Sequence, residues 1–202
     1  MNLGVLSAEQ QKAVLDGAVD LASQMELSAI TLDQLTKRCG VSAFDIVRHY
    51  QSKEKILAAV LERELELIAG SVHSPELRFP GETLRDELQV LSKIMLAEYR
   101  RRLPFIGKLL SEASTNPEVG TLFYQTFIKQ GRLLFAEFLN VRRRLDQLRE
   151  DADIEAGAAM FLSALTFILL VVELYGGRQV EPLDEERLVR EMTDIFLRGM
   201  QR

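Results

Sequence analysis

Apolar side chains recur about every three or four residues along most of the chain, which is the spacing of one face of an α-helix. The first such segment follows Ser7-Ala8-Glu9-Gln10, in which the Ser and Gln side chains can each accept a hydrogen bond from the other residue's backbone N–H group. Thr31-Leu32-Asp33-Gln34 has the same form and leads into a segment with Leu32 and Leu35 on its inner side. The pattern therefore predicts one helix starting at Ser7 and a second starting at Thr31.

A tight turn and two further helix starts follow the second predicted helix. Gly40-Val41-Ser42 can form the turn, and Ser42 is a suitable N-cap for a short third helix. Ser52 is suited to cap a fourth helix, whose apolar positions continue to Ile68. Two short helices joined by a turn that contains glycine are the layout of a helix-turn-helix, so this segment predicts a protein that binds DNA.

The third predicted helix has one apolar side and one side open to a ligand. If Ile46 lies at the buried centre, Tyr50 and Ala43 fall beside it, because successive residues turn by about 100°. The residues on the remaining surface would be available to a DNA groove; they are Phe44, Asp45, Val47, Arg48 and His49.

A change of composition near residue 70 predicts the main domain boundary. The stretch from Gly70 to Gly81 contains two prolines and two glycines, which is typical of a linker. We therefore expect a helix-turn-helix domain over residues 1–55, a linking helix over about 52–70, and a larger helical domain over residues 71–202.

Helix starts are also clear within the larger predicted domain. Asn116-Pro117-Glu118 is a strong one, because Asn can cap, Pro suits the first position and an acid suits the first turn. The apolar positions of that helix continue as far as Phe138, and a polar break over residues 142–153 follows. The last two predicted helices run from Ile154 to Tyr175 and from about Asp184 to Met200.

The first of these last two helices raises the question of a membrane span. Its Ala156–Val172 stretch is apolar on all sides, but its 17 residues are fewer than the 20 or so that a span needs. We therefore favour a buried helix and expect no membrane association. A chain of this size offers little cover for such a helix, so a second subunit is the natural cover.

Composition agrees with a helical, soluble protein. Hydrophobic residues make up 47% of the 202 residues and charged residues 27%, with no Trp and only 5 Pro. The net charge is −5, whereas DNA-binding proteins are often basic. From Thr36 to Lys55, however, five basic residues stand against two acidic ones, a local charge of +3. The predicted fold is all-α, with an N-terminal three-helix helix-turn-helix domain and a larger C-terminal helical domain.

Other kinds of site find little support in the sequence. The single cysteine, Cys39, excludes an internal disulfide, and two isolated histidines, His49 and His73, provide neither a metal-binding set nor a nucleophile with its base. We therefore expect no enzyme, no metal and no cofactor. The first residues lack the pattern of a signal peptide, so a cytoplasmic location is expected. The arginine runs 100–102 and 142–144 are expected to be solvated.

A family resemblance covers roughly Gln11 to Leu65. Its most specific features are the Gly40-Val41-Ser42 turn and the helix start at Ser52-Lys53-Glu54. It is also carried by Leu21-Ala22, Thr31 to Leu35, Cys39, Ile46, His49-Tyr50 and Lys55-Ile56-Leu57. With these features the chain resembles the TetR/AcrR, or tetracycline-repressor-like, family of transcriptional regulators. The resemblance implies a homodimer of nine- or ten-helix subunits that binds double-stranded DNA through its first three helices and dimerises through the last two, at about 154–175 and 184–200.

The resemblance also assigns DNA contacts to specific positions. The predicted set is Thr31, Asp33, Ser42, Ala43, Phe44, Asp45, Val47, Arg48, His49 and Lys53. We expect Ser42 and Lys53 to contact phosphate and Arg48 to contact a base edge, since Arg bound to guanine is the commonest specific contact. Asp45 could accept from cytosine, but we prefer a role at the helix N-terminus, where an acid stabilises the dipole.

Several of these positions differ from the family's usual pattern. The family usually has a basic residue at Ala43, a small one at Phe44 and a tyrosine at Val47, and often an arginine at Asp33. Val47 therefore lacks the hydroxyl that would bond a phosphate, and the acids repel phosphate. These differences leave open an alternative, a helical interaction or dimerisation protein whose DNA-binding helix is degenerate.

A pocket for an effector is the last feature that the resemblance implies, because apolar cavities between helices are common ligand sites. The candidate lining residues are Tyr99, Phe105, Phe123, Tyr124, Phe127 and Phe161. The effector would be small and largely apolar, with Tyr99, Tyr124 or Arg100 offering polar contacts. Together these features predict a ligand-responsive repressor that binds a palindromic operator as a homodimer.

Overall fold

The computed structural model of the protein describes residues 6–72, 83–182 and 184–201. These ranges consist of helices and the turns that join them, without a β-strand, so the predicted all-α class is confirmed. His73 and most of the predicted linker lie outside the described residues.

The described ranges contain eleven α-helices. Their bounds are α1 Ala8–Ala22, α2 Leu32–Cys39, α3 Ala43–Tyr50, α4 Lys53–Val72, α5 Leu84–Arg101, α6 Leu103–Ala113, α7 Pro117–Phe123, α8 Lys129–Arg144, α9 Ile154–Leu169, α10 Gly177–Val180 and α11 Glu185–Met200. A 3₁₀ helix spans Leu27–Ala29, and π-helical turns span Tyr124–Ile128 and Leu170–Leu174. The count exceeds the nine or ten helices that the resemblance implies, in part because α10 is a single turn.

The predicted helix starts have the capping hydrogen bonds that their sequences suggested. At α2, the backbone N–H of Thr31 donates to Gln34 Oε1 at 2.8 Å, and the Gln34 N–H donates to Thr31 Oγ1 at 3.2 Å. The equivalent pair at α1 joins Ser7 and Gln10. At α7, Asn116 Oδ1 accepts from the N–H groups of the next helical residues. Local side-chain chemistry therefore sets where these helices begin.

Four features differ from the sequence predictions. The 3₁₀ helix Leu27–Ala29 has no clear local signal, and α4 continues to Val72, two residues beyond its predicted end. The helix predicted from Pro117 onward is interrupted by the π-helical turn Tyr124–Ile128. The polar break begins later than predicted, because α8 includes Arg142 and ends only at Arg144.

The chain folds into two compact units. The first comprises residues 1–65 and 104–128, and the second comprises residues 66–103 and 129–202. Helices α6 and α7 thus belong with the N-terminal helices, although they follow the predicted domain boundary in the sequence. The functional division into a DNA-binding and an effector-binding domain stays a prediction.

Within the first unit, helices α1 and α2 pack closely because α1 has a glycine, Gly17, at the point where it contacts α2. A Cβ atom on Gly17 would lie 3.4 Å from the Cβ of Cys39 and 3.5 Å from Leu35 Cδ1. Leu35 and the central residue of α3, Ile46, are buried. The three helices therefore share a small apolar core, on which the surface of α3 is supported.

The second unit has a larger core with stacked aromatic rings. Phe161 of α9 stacks on Phe135 of α8 at 5.0 Å between ring centroids and meets Phe196 of α11 edge-on at 4.9 Å. Helices α9 and α11 approach closely at Gly157, where a Cβ atom would lie 2.8 Å from Met200 Cε. This core holds α9 and α11 side by side.

Helix α9 is buried on one side only. Ala158, Phe161 and Leu165 are inaccessible, whereas the Met160 side chain is 72% exposed and that of Phe167 is 65% exposed. The stretch Ile154–Leu174 is long and apolar enough to cross a membrane by length and composition, and 33% of its most apolar window is buried. The expected burial on all sides is therefore absent within one subunit, which leaves an apolar surface on α9.

The arginine runs are less solvated than predicted. Arg142 pairs with Glu87 at 2.8 Å and lies 4.9 Å above the Phe138 ring, and Arg100 pairs with Glu173 at 2.8 Å. Arg101, in contrast, has a 74% exposed side chain. The prediction was wrong for Arg142 and Arg100 because opposite charges from other elements of the second unit reach them, which a single stretch of sequence does not reveal. It was also wrong for Arg102, whose side chain is 12% exposed and pairs with Glu98, four residues earlier, at 2.7 Å.

Candidate nucleic-acid interface

The turn between α2 and α3 depends on a glycine in the left-handed conformation. Gly40 has a φ of 71°, and its N–H group donates to Thr36 O at 2.9 Å, which ends α2. The next residue, Val41, is buried and anchors the turn in the core. Ser42 then begins α3, so the Gly-Val-Ser sequence forms the turn that was predicted from it.

The first turn of α3 is fixed by a reciprocal pair of hydrogen bonds. The Asp45 N–H donates to Ser42 Oγ at 3.1 Å, and the Ser42 hydroxyl donates to Asp45 Oδ2 at 2.6 Å. The carboxylate of Asp45 therefore already has a partner at the helix N-terminus. This geometry supports the preferred interpretation of Asp45 as a residue that stabilises the helix start.

The outer surface of α3 is both apolar and basic. Phe44 is 71% exposed and Val47 is 45% exposed, and Arg48 is exposed beside them. On the opposite side Ile46 and Tyr50 are buried, and Ala43 is half-buried. For these six residues, the side-chain placement inferred from helical periodicity is the one that the structure has.

His49 lies differently from the other predicted contact residues. It is half-buried, and its Nδ1 accepts a hydrogen bond from the Leu6 N–H at 3.4 Å. Its ring also meets the Tyr50 ring edge-on at 4.6 Å. The geometry therefore directs His49 toward the segment before α1, a contact that the sequence could not have indicated.

The remaining predicted contacts lie at the starts of α2 and α4. Thr31 and Asp33 are exposed at the first turn of α2, where Thr31 also serves as the cap. Lys53 is exposed at the first turn of α4, and its Nζ donates to Ser28 O at 3.0 Å. These residues and the outer face of α3 all belong to the first unit.

A strained residue that the sequence did not reveal lies at the end of α3. Gln51 has a φ of 69° and a ψ of −33°, and its N–H donates to Val47 O at 2.8 Å. This conformation is unusual for a residue with a side chain. It ends α3 two residues before α4 begins, and no glycine or proline marks the position.

The six candidate effector-binding residues are divided between the two units. Tyr99 and Phe161 belong to the second unit, where Phe161 lies in the core and burial raises the pKa of Tyr99 to about 12. The other four belong to the first unit; of these Phe105, Phe123 and Phe127 are buried and Tyr124 is 52% exposed. Phe123 and Phe127 stack at 5.5 Å between centroids.

Metal-binding side chains do not gather at any point in the part of the chain that the structure describes. There, no group of three or more His, Cys, Asp or Glu residues could hold an ion.

Comparison with known proteins decides the family. Residues 14–60 match the family model of bacterial regulatory proteins of the tetR family. Residues 84–200, more than half of the chain, match the model of the C-terminal domain of AefR-like transcriptional repressors. The chain belongs to the TetR family. Both matching models describe transcriptional regulators, and the expectation that this TetR-family protein is not an enzyme is confirmed.

Individual relatives agree with this placement. The transcriptional repressor KstR of Rhodococcus jostii (strain RHA1) is 31% identical over 107 residues, which cover 53% of this chain and 46% of KstR. The chain spans less than half the length of the curated relatives that it matches.

Two solved structures share the fold over nearly the whole chain. The flavonoid-responsive regulator FrrA superposes with a TM-score of 0.73 at 23% identity. The superposition covers 96% of this chain and 98% of the FrrA chain. The fatty acid degradation regulator FadR of Bacillus halodurans has a TM-score of 0.67 at 14% identity, with coverages of 96% and 97%.

Proposed function

We propose that this TetR-family protein is a cytoplasmic, ligand-responsive repressor that binds a palindromic operator as a homodimer. The observation that carries the proposal is the surface of α3, where Phe44, Val47 and Arg48 are exposed while Ile46 and Tyr50 anchor the helix. An anchored helix with an exposed, partly basic face has the form required to enter a major groove.

Three residues of this surface have the chemistry to read or position DNA. Arg48 would donate to a guanine edge, the commonest specific contact, and Phe44 would pack on a thymine methyl group. Lys53 would contact phosphate, because its ammonium group lies exposed at the first turn of α4. Asp45, bonded to Ser42, would hold the start of α3.

Dimerisation would use the apolar surface that α9 leaves uncovered. Met160 and Phe167 of α9 and Ile195 of α11 are each more than 60% exposed. An exposed apolar patch of this kind marks an interaction site. We assign it to a second copy of the chain, because a two-fold symmetric dimer matches a palindromic operator.

Two relatives suggest the class of the effector. FrrA is described as flavonoid-responsive and FadR as a regulator of fatty acid degradation. A flavonoid and a fatty acid are both largely apolar, which agrees with the aromatic character of the candidate residues. We therefore propose a small, largely apolar effector, which would act by binding more tightly to the state that does not bind DNA.

Footprinting of genomic fragments bound by the purified protein tests the proposal. We expect a palindromic footprint whose half-sites lie about one helical turn, or somewhat more, apart. Arg48→Ala should weaken binding to that site by about 1–3 kcal/mol and change binding to random DNA much less. Arg101→Ala, which removes an exposed arginine from α5 in the second unit, is the matched control and should leave the affinity unchanged.

The second candidate function is a dimerisation protein with a degenerate DNA-binding helix. It is favoured by the exposed acid Asp33 and by Val47, which offers no phosphate hydrogen bond. A folded dimer that binds no fragment specifically at low salt would support this alternative, because lost phosphate contacts weaken both the affinity and its salt dependence.

A further inference from the structure

A cavity of about 290 Å³ lies within the first unit, apart from the exposed surface of α3. Its walls come from α1, the 3₁₀ helix, α2 and α4 on one side and from α6 and α7 on the other. This volume is just below the roughly 300–1,000 Å³ that is typical of ligand sites. Of the six candidate effector residues, Phe105 is the one that lines it.

The interior of the cavity is apolar. Ile30, Leu35, Leu57 and Phe105 are buried residues of its lining, and Val119 of α7 lies at a half-buried position. Such a lining favours a hydrocarbon or aromatic group over water, because burial of apolar surface is the main source of binding energy in sites of this kind. The cavity therefore has a place for the apolar body of a ligand.

Charged groups among the lining residues are predominantly acidic. The lining includes three carboxylates but one ammonium group. The carboxylates belong to Glu54, Glu112 and Glu118, and the ammonium group belongs to Lys53. Glu112 accepts two backbone hydrogen bonds, and Lys53 donates to Ser28 O. Glu54 and Glu118 are exposed, so they are the charges that an incoming ligand would meet.

We propose that this cavity binds a small molecule with an apolar body and a single positive charge. The apolar body would occupy the space lined by Leu57, Phe105 and Val119, and the cationic group would lie near Glu54 and Glu118. A ligand with a carboxylate would be disfavoured, because it would add a like charge to this acidic surface. The cavity shares Phe105 with the candidate effector residues and Lys53 with the proposed DNA contacts, but the proposal does not require either of those roles.

Three probes of equal length separate the contribution of apolar contact to the binding affinity from the contribution of charge. Octylammonium, octanol and octanoate share one hydrocarbon chain, and each is titrated into the full-length protein by calorimetry below its aggregation concentration. We expect octylammonium to bind about tenfold more tightly than octanoate, with octanol between them. Equal affinity of octylammonium and octanoate, or of octylammonium and octanol, would overturn the proposed charge selection.

Paired variants place the binding in this cavity. Val119→Trp should fill it and abolish octylammonium binding, whereas Thr121→Trp, at an exposed position of the same helix, should leave binding intact. Glu118→Gln should reduce the ratio of octylammonium affinity to octanoate affinity. Glu62→Gln, at an exposed position of α4, should leave that ratio unchanged. Unchanged octylammonium binding by Val119→Trp would refute the site.

Methyl NMR of the unsubstituted protein tests the site in a way that does not depend on whether the tryptophan variants fold. On addition of octylammonium, the methyl signals of Val60 and Leu122, which line the cavity, should shift. Those of Leu139 and Leu165, in the core of the second unit, should stay in place. Shifts confined to the second unit would contradict the assignment, whatever the variants do.

Discussion

The carboxylate of Glu112 accepts a 2.6 Å hydrogen bond from the backbone N–H of Leu27, a residue 85 positions earlier in the chain. Its other oxygen accepts from the Ser28 N–H at 3.0 Å. The carboxylate thus serves as a distant N-terminal cap for the 3₁₀ helix that precedes α2, and the side chain itself is buried. One residue of α6 therefore holds the segment that leads into the helix-turn-helix.

Removal of this cap should destabilise the first unit. We expect Glu112→Ala to lower the free energy of unfolding by about 1.5–3 kcal/mol, because two partly buried donors lose a charged acceptor. Glu112→Gln, which keeps one acceptor oxygen, should lose less. Chemical denaturation measures both, with the exposed Glu62→Ala as the control. Equal stability of all three variants would mean that the two hydrogen bonds contribute nothing.

The same substitution should have opposite effects at two glycines, Gly40 in the turn that ends α2 and Gly70 within α4. Gly40→Ala should lower the free energy of unfolding by about 1 kcal/mol, because Gly40 has a φ of 71° and L-residues are strained in that conformation. Gly70→Ala should stabilise by about 0.5–1 kcal/mol, since Gly70 lies in α4 and a Cβ there meets no atom within 4 Å. Thermal unfolding of the two variants compares them; destabilisation by both would show that α4 cannot accept the methyl group.

The proposed dimer surface can be tested without damage to the core. Phe167→Glu and Met160→Glu should convert the dimer to folded monomers, because both side chains are exposed within one subunit. Leu169→Glu is a poorer probe, since Leu169 is 2% exposed and a charge there would disrupt the fold itself. Sedimentation equilibrium with circular dichroism measures assembly and folding separately. A stable dimer that retains both glutamates would place the interface elsewhere.

The ion-pair cluster around Glu173 predicts a dependence of stability on pH. Burial tends to raise the pKa of Glu173, but hydrogen bonds from Arg178 and Arg100 outweigh it and hold the pKa below the ordinary value of 4.5. The charged form is therefore favoured by folding, so its contribution is present above about pH 4.5 and is lost as the pH falls through the folded-state pKa.

Comparison with a neutral variant isolates this contribution. Glu173→Gln should be less stable than the unsubstituted protein by about 1 kcal/mol at pH 7, and the difference should shrink between roughly pH 5 and pH 3. Urea denaturation across this range gives the two stability curves. Parallel curves would show that the carboxylate does not titrate differently on folding.

Those parts of the fold that depend on local chemistry could be predicted from the sequence. The caps at Ser7, Thr31, Ser42 and Asn116 each determine a helix start within three residues, and all four have the expected hydrogen bonds. The buried position of Ile46 also followed from periodicity alone. Such features need only neighbours along the chain, so a single sequence is enough to find them.

Features that depend on distant residues could not be predicted. The 3₁₀ helix at Leu27 is held by Glu112, and the partner of His49 is the backbone of Leu6. The same is true of Arg142, whose partner Glu87 lies on another helix. For the surface of α3, the sequence indicated which side is exposed but not which of its residues are already engaged within the protein.

The π-helical turn Leu170–Leu174 is where α9 departs from the regular repeat. The Tyr175 N–H donates to Leu170 O, five residues back, at 3.0 Å, and the wider turn holds one more residue than an α-helical turn would. Within it, Glu173 contacts both Arg100 and Arg178. Deletion of one residue between Leu170 and Glu173 would restore the α-helical repeat and rotate Glu173 by about 100° relative to α5, away from Arg100. The number of residues in this turn is thus constrained independently of their type. Relatives that keep the ion pairs should therefore keep the length of the segment even where its side chains differ.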